Sequence, residues 1–249
     1  MANDATILGE VLILAAGIEE AAPYVSAAEK LRVSSILGIE AETQRSWEKT
    51  ECRPALCLHF AQRESALAIV QYSMEHPLAA IIATHERTAP ACARASSMMG
   101  LKWHAPRGAD LCLDKTALRR RLSAAGSAPS DPEGDPAGQK VAVIAILDAG
   151  KLRVLSVVPA PENLSAIGRP MLEAVLRATR EAGLNHGPMV AQVRIIGGQT
   201  MISDLCPVIP ANQAETLRFR IPLVDEDISL AEVVMRHALG LDISRICKS

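Results

Sequence analysis

Apolar residues along this chain fall into short uninterrupted runs, each closed by glycine or followed by an alanine-rich stretch of helical period, and that rhythm predicts alternating strands and helices. Val11 to Ala16 is the first run, closed by Gly17, with helical character from Glu19 to Leu31. Leu56 to Phe60 reads as a further strand, Arg63 to Met74 as a helix and Leu78 to Thr84 as a buried strand. Ala89 to Met99 reads as a helix stopped by Gly100. Strand, helix, strand in this order predicts a small parallel βαβ domain over residues 1–106.

The pattern then changes. Asp114 to Ala125 reads as a helix with Asp114 as N-cap and Gly126 as its stop, within a segment spanning 107–126. Ser127 to Lys140, SAPSDPEGDPAGQK, is rich in Pro, Gly, Ser and Asp and reads as a linker. From 141 to 249 a second domain is expected. It has strands Val141 to Leu147 and Leu152 to Val158 around Asp148-Ala149-Gly150, and an amphipathic helix from Arg169 to Ala182. A hairpin turned at Gly197-Gly198 pairs the alternating Val190, Val193, Ile195 with Met201, Ile202, Leu205 and sets Gln192 opposite Asp204, with Cys206 beside them. Ser229 to Leu239 closes the series as a helix capped by Ser229 and Glu232 and stopped by Gly240. The fold class expected is α/β with an α+β C-terminal part: a parallel βαβ domain, then an antiparallel sheet carrying helices.

Composition narrows this further. The 249 residues are 49% hydrophobic but include only two each of Trp, Tyr and Phe, so Ala, Leu, Ile and Val must build the core, as suits helices packed on sheets. A net charge of -2 leaves no electrostatic footprint for nucleic acid or an anionic membrane. The cysteines at 52, 57, 92, 112, 206 and 247 form no CxxC pair and read as reduced thiols. Val11 to Ala16 is too short to span a bilayer, and the first residues lack a basic stretch, so a cytoplasmic location is expected. Glycine-rich nucleotide fingerprints of the GxGxxG and GxxxxGK[ST] types are absent, and His85, His186 and His237 share no metal-ligand spacing.

Several segments, taken in order, resemble the ATP-grasp superfamily and, more narrowly, its carboxylate-amine ligases acting on amino acids. LILAAGIEEAAPYVSAAEKL is similar to the family's opening strand, glycine turn and helix, and ATHERTAPACARASSMMGL to its acid, Ala-rich helix and Met-Gly-Leu segment. LCLDKTALRRRLSAAG resembles the Asp-Lys helix, GLNHGPMVAQVRI the Gly-Pro-x-His-x-Glu strand and ISDLCPVIP the Glu-x-Asn-x-Arg strand. ETLRF followed by ISLAEVVMRHALG is similar to the family's C-terminal end. The resemblance implies ATP and Mg²⁺ as cofactors, a small carboxylate or amino acid as substrate, and phosphorylation of the carboxylate before attack by an amine. Such chemistry rests on positioning and charge neutralisation.

The departures from the pattern fall on the parts that do that work. Gln192 stands at the family's first metal-binding Glu and Asp204 at its second; Cys206 replaces the Asn, Val208 the Arg, and Val190 the usual His. Mg²⁺ is a hard ion served by carboxylates, water and phosphate, and a carboxamide or thiol is a poor replacement. Where the family has its ATP-clamping lid subdomain, this chain has the fourteen residues Ser127 to Lys140. Lys115 resembles the nucleotide-contacting lysine and Glu86 a pocket-facing acid; the alternative readings are an exposed helix lysine beside its N-cap and a solvated helix-start glutamate. Lys115, Gln192 and Asp204 are thus the nucleotide-binding candidates, Asp204 and Gln192 the metal candidates, and Glu86 and Cys206 the pocket candidates; Cys206 also reads as an inert thiol. Arg119-Arg120-Arg121 reads as a solvated helix face, and no catalytic residue is assigned. The expectation is a truncated or degenerate ligase, a pseudoenzyme with weak or no turnover alone. The alternatives are a ligase completed by a homo-oligomer or a partner ligase, and a non-catalytic interaction module.

Overall fold

The computed structural model describes residues 9–44, 54–127, 138–159, 164–221, 226–244 and 246. The chain divides into two compact units, Met1–Trp103 with Pro210–Ile246, and His104–Ile209 with Cys247–Ser249.

The first unit is built on a parallel sheet of order β3-β2-β1-β4, from β1 (Glu10–Ala15), β2 (Ser35–Glu40), β3 (Leu56–Leu58) and β4 (Leu78–Ala83). Val11 to Ala15 are fully buried, as an all-apolar run covered on both faces should be. Its helices are α1 (Ile18–Lys30), α2 (Glu64–Ser73) and α3 (Ala89–Met99). Gly100 ends α3 in the left-handed conformation at φ 70°, as the Met-Met-Gly sequence predicts.

The second unit opens with α4 (Pro106–Leu113) and α5 (Lys115–Ala124). The Asp114 carboxylate accepts the Ala117 N–H at 3.0 Å, the expected N-cap. An antiparallel sheet of order β6-β5-β7-β8 follows, from β5 (Gln139–Asp148), β6 (Lys151–Val158), β7 (Gly187–Ile196) and β8 (Gln199–Cys206), with α6 (Leu164–Ala182) on it. Val143, Ala145, Leu147, Ala191 and Val193 from one face of the sheet pack with Leu118, Leu122, Met171, Val175 and Ala178 from α5 and α6. Each Val, Leu or Met side chain so withdrawn from water contributes about 1.5–3 kcal/mol, and each Ala less.

Two expectations need correction. The segment from Ser127 to Lys140 is not linker at its ends. Ser127 is 2% exposed, accepts the Ile202 N–H through its carbonyl and receives the Arg177 Nε–H on its hydroxyl, while Gln139 and Lys140 already belong to β5. The rest of that segment, 128–137, lies outside the described residues. The expected domain 141–249 is also divided, because Pro210–Ile246 groups with the parallel-sheet unit. That stretch forms α7 (Ala211–Thr216), the hairpin β9 (Arg218–Ile221) and β10 (Glu226–Ser229), and α8 (Leu230–Ala238). Apolar burial decides its place: α8 packs on α1 and β4, and the Lys30 ammonium reaches the buried Glu232 carboxylate at 3.2 Å. Glu232 also caps α8 reciprocally with Ser229, so this carboxylate is fully engaged.

Candidate functional site

The β7-β8 hairpin positions the candidates. Gly197 and Gly198 take φ of 55° and 81°, the two positive values that a two-residue hairpin turn with the twist of its strands requires. That turn fixes the register, in which Val190 faces Cys206, Gln192 faces Asp204 and Arg194 faces Met201. A bulge between Gln192 and Val193 absorbs one residue of β8 and keeps Gln192 and Asp204 level. Core residues Ala191, Val193, Ile202 and Leu205 point to the helices, so Gln192 and Asp204 stand on the opposite face.

Lys115 is the first residue of α5, and its ammonium lies 3.1 Å from Oδ1 and 3.0 Å from Oδ2 of Asp204. Oδ1 also accepts the Leu205 N–H at 2.8 Å. The carboxylate is therefore held by one cation and one backbone donor, with Gln192 as its cross-strand neighbour. The pair is only partly withdrawn from water, its side chains being 40% and 35% exposed. A divalent ion placed here would find one carboxylate and a neutral carboxamide, the minimum that Mg²⁺ accepts when phosphates and waters supply the remaining oxygens.

Two further cations share this face. Lys140 pairs with Arg194 across β5 and β7, and Ala142 pairs with Gln192, so the alternation places Lys140 and Arg194 on the side that carries Gln192. Among the described residues, Lys140 and Arg194 therefore lie on the strand face of Gln192 and Asp204, and Lys115 reaches Asp204 from α5. Lys140 and Arg194 were not singled out from the sequence. Continuing the alternation outward from Gln192 would have reached Arg194, but Lys140 lay in the segment read as linker.

The remaining candidates behave differently. Cys206 is two residues beyond Asp204 on β8 and partly buried; its opposite neighbour is Val190, which supplies no base. Glu86 belongs to the other unit, half-buried in the turn after β4, where His85 caps the turn by accepting the Arg87 N–H on Nδ1. Arg119, Arg120 and Arg121 are exposed, with Arg121 paired to Glu181 at 3.4 Å. Cys92 is fully buried, and burial raises its thiol pKa far above the ordinary range despite the opposing hydrogen bond with Ser96. Among the described residues no helix is long and apolar enough to cross a membrane.

Neither a protein-family model nor a curated protein sequence matches the chain. Solved structures do. The L-amino acid ligase from Bacillus licheniformis superposes with a TM-score of 0.71 at 15% identity, over 95% of this chain and 76% of the ligase. The carboxyaminoimidazole ribonucleotide synthase from Aspergillus clavatus, complexed with ATP, gives 0.72 at 12% identity, over 96% and 78%. The N5-carboxyaminoimidazole ribonucleotide synthetase from Thermus thermophilus gives 0.68 at 13%, over 93% and 79%. Each is longer than this chain and is spanned by it for about three quarters of its length. The parallel sheet, the antiparallel sheet with its two helices and the order of their elements give this chain the fold of the ATP-grasp carboxylate-amine ligases.

Proposed function

We propose that this protein is a degenerate ATP-grasp carboxylate-amine ligase homologue that retains a weakened Mg²⁺-nucleotide site and has little or no turnover alone. The observation that carries the reading is the Lys115–Asp204 pair, at 3.0 and 3.1 Å, standing opposite Gln192 on a face that also bears Lys140 and Arg194. Lys115 would turn to phosphate oxygens and Asp204 to the metal, with Gln192 accepting through its carbonyl oxygen. Bound Mg²⁺ supplies charge neutralisation between phosphate oxygens and a carboxylate. The exposed ion pair is worth at most about 1 kcal/mol, so a polyphosphate readily parts it.

Catalytic weakness follows from what the face lacks. Phosphoryl transfer needs metal clamping and several cations around the transferred group. Gln192 and Val208 place no charge at positions where the ligases it resembles carry Glu and Arg, and Cys206 puts a thiol where they carry the oxygen donor of an Asn. Similarity to an amino-acid ligase and to a synthase complexed with ATP supports a small carboxylate and ATP as the ligand classes.

The test is calorimetric titration of ATP into the full chain, with Mg²⁺ and then with EDTA, alongside ADP release with a pool of amino acids. Magnesium-dependent binding with little ADP release is expected. Absence of binding at millimolar ATP overturns the nucleotide site; rapid amino-acid-dependent ADP release overturns the degeneracy.

A further inference from the structure

We infer that Glu40, Glu42 and His59 form a second metal site, specific for a first-row divalent transition ion and separate from the residues assigned to nucleotide. The three donor atoms, one oxygen from each glutamate and Nδ1 of the imidazole, all lie within 4.8 Å of one another. His59 Nδ1 is 3.9 Å from Glu40 Oε1 and 4.0 Å from Glu42 Oε1. Those separations are too long for hydrogen bonds. They suit donors arranged around a common ion: a point central to such a triangle lies about 2.5 Å from each, a small side-chain adjustment from the roughly 2.0–2.2 Å of Zn–N and Zn–O bonds.

The backbone holds the arrangement from two sides. Glu40 ends β2 and pairs with Leu58 in the parallel β2-β3 register, so His59 follows at the same C-terminal edge of the sheet. Ligands of open α/β sheets lie outside that edge. The Glu40 carbonyl accepts the Thr43 hydroxyl at 2.8 Å, closing the turn that carries Glu42. The His59 carbonyl accepts the Gln62 N–H at 2.8 Å and the hydroxyl of the buried Ser65 at 2.6 Å. Donors on fixed elements lose little freedom on binding.

Donor chemistry selects the ion. One imidazole with two carboxylates suits Zn²⁺, Mn²⁺, Fe²⁺ or Co²⁺, whereas Mg²⁺ prefers oxygen alone. Exposure is 20%, 79% and 51% for the side chains of Glu40, Glu42 and His59, so solvent reaches the centre from one side. Three protein donors leave coordination positions there for water or an anionic oxygen ligand.

The experiment is titration of Co²⁺ into EDTA-treated, desalted full-length protein, read by visible absorption, with Zn²⁺ and Mg²⁺ as competitors. The expected result is one equivalent of bound Co²⁺ with a ligand-field band, displaced by Zn²⁺ but not by excess Mg²⁺. Glu40→Gln, His59→Ala and Glu42→Gln should each weaken binding at least about 10- to 100-fold, the range that loss of a mere supporting group already produces. The last of these alters the most exposed of the three side chains, so its effect is not one of misfolding. Equal binding by the three variants and the parent overturns the site, as does absence of a band at millimolar Co²⁺. A thiolate charge-transfer band abolished by Cys57→Ser would assign the metal to the exposed cysteine and overturn it equally.

Discussion

Replacing Asp204 by Asn and Lys115 by Ala, singly and together, separates what each side chain does. The Lys115–Asp204 contact is short but its partners are 40% and 35% exposed, so its worth to the fold is about 0.2–1 kcal/mol, as for other solvated pairs. At this chain length that shifts the melting temperature by no more than about 2–4 °C. The nucleotide responds far more. A charge-assisted hydrogen bond contributes about 1.5–3 kcal/mol, or roughly 10- to 100-fold in Kd. Lys115→Ala should therefore weaken ATP binding by that factor both with Mg²⁺ and in EDTA. Asp204→Asn should differ in sign between the two conditions. Without metal the carboxylate neutralises Lys115 and repels phosphate, so its removal should hold or tighten binding of free ATP; with Mg²⁺ it should weaken binding. Asn keeps an acceptor for the Leu205 N–H, which limits damage to β8. Calorimetry of the four proteins in both conditions reads the cycle. Equal loss with and without Mg²⁺ in Asp204→Asn would refute a metal-directed role for this carboxylate, and a stability loss of about 3–5 kcal/mol would show instead a buried structural pair.

Three other expectations follow from the packing. A Cβ at Gly108 on α4 would lie 2.7 Å from the Gly183 carbonyl oxygen and 2.9 Å from its carbon, both backbone atoms, so Gly108→Ala should cost about 1–3 kcal/mol by overpacking; an unchanged urea midpoint would contradict this close approach. Asp114→Ala should cost about 1 kcal/mol through the lost N-cap and Asp114→Asn much less, compared in the same unfolding assay. Cys57 should alkylate in the native protein while Cys92 and Cys112 should not, as peptide mapping by mass spectrometry would read. Since burial raises the Cys92 thiol, the native state keeps its proton after the unfolded chain releases its own, so this group's contribution is constant below the ordinary thiol pKa and declines as pH rises past it. Cys92→Ala should flatten that alkaline decline in a melting series, and an identical decline in parent and variant would refute it.

The parts of the fold legible in the sequence are those where local chemistry and tertiary environment agree. Val11 to Ala15 is apolar without interruption because both faces of β1 are covered; Gly197-Gly198 supplies two positive φ angles that few other residue pairs adopt cheaply. From such signals the hairpin register follows, and with it the facing of Gln192 and Asp204. Elements that escaped are short or internally mixed. β2 carries Gly38 at its middle, and α4 is eight residues long with only Pro106 at its start as a signal. The hairpin of β9 and β10 is two four-residue strands that gain their order from pairing with each other.

Missing β2 had a cost beyond one strand. Glu40 and Glu42 are separated from His59 by a stretch with no regular spacing, and only the register of β2 against β3 brings the imidazole to the carboxylates. Spacing rules detect metal ligands that share a helix or a turn; they cannot detect ligands that meet across a sheet edge. Lys115 and Asp204 illustrate the same limit, because family resemblance singled out both residues but carried no sign that they touch. Their contact changes how each is understood. Considered separately, a lysine and an aspartate read as a phosphate donor and a metal ligand, whereas paired at 3.0 Å they form a neutral unit that a metal-nucleotide would have to divide. If the nucleotide site operates, its affinity should therefore depend on Mg²⁺ and phosphate together, since either one alone gains a single partner while stripping the other of its counter-charge.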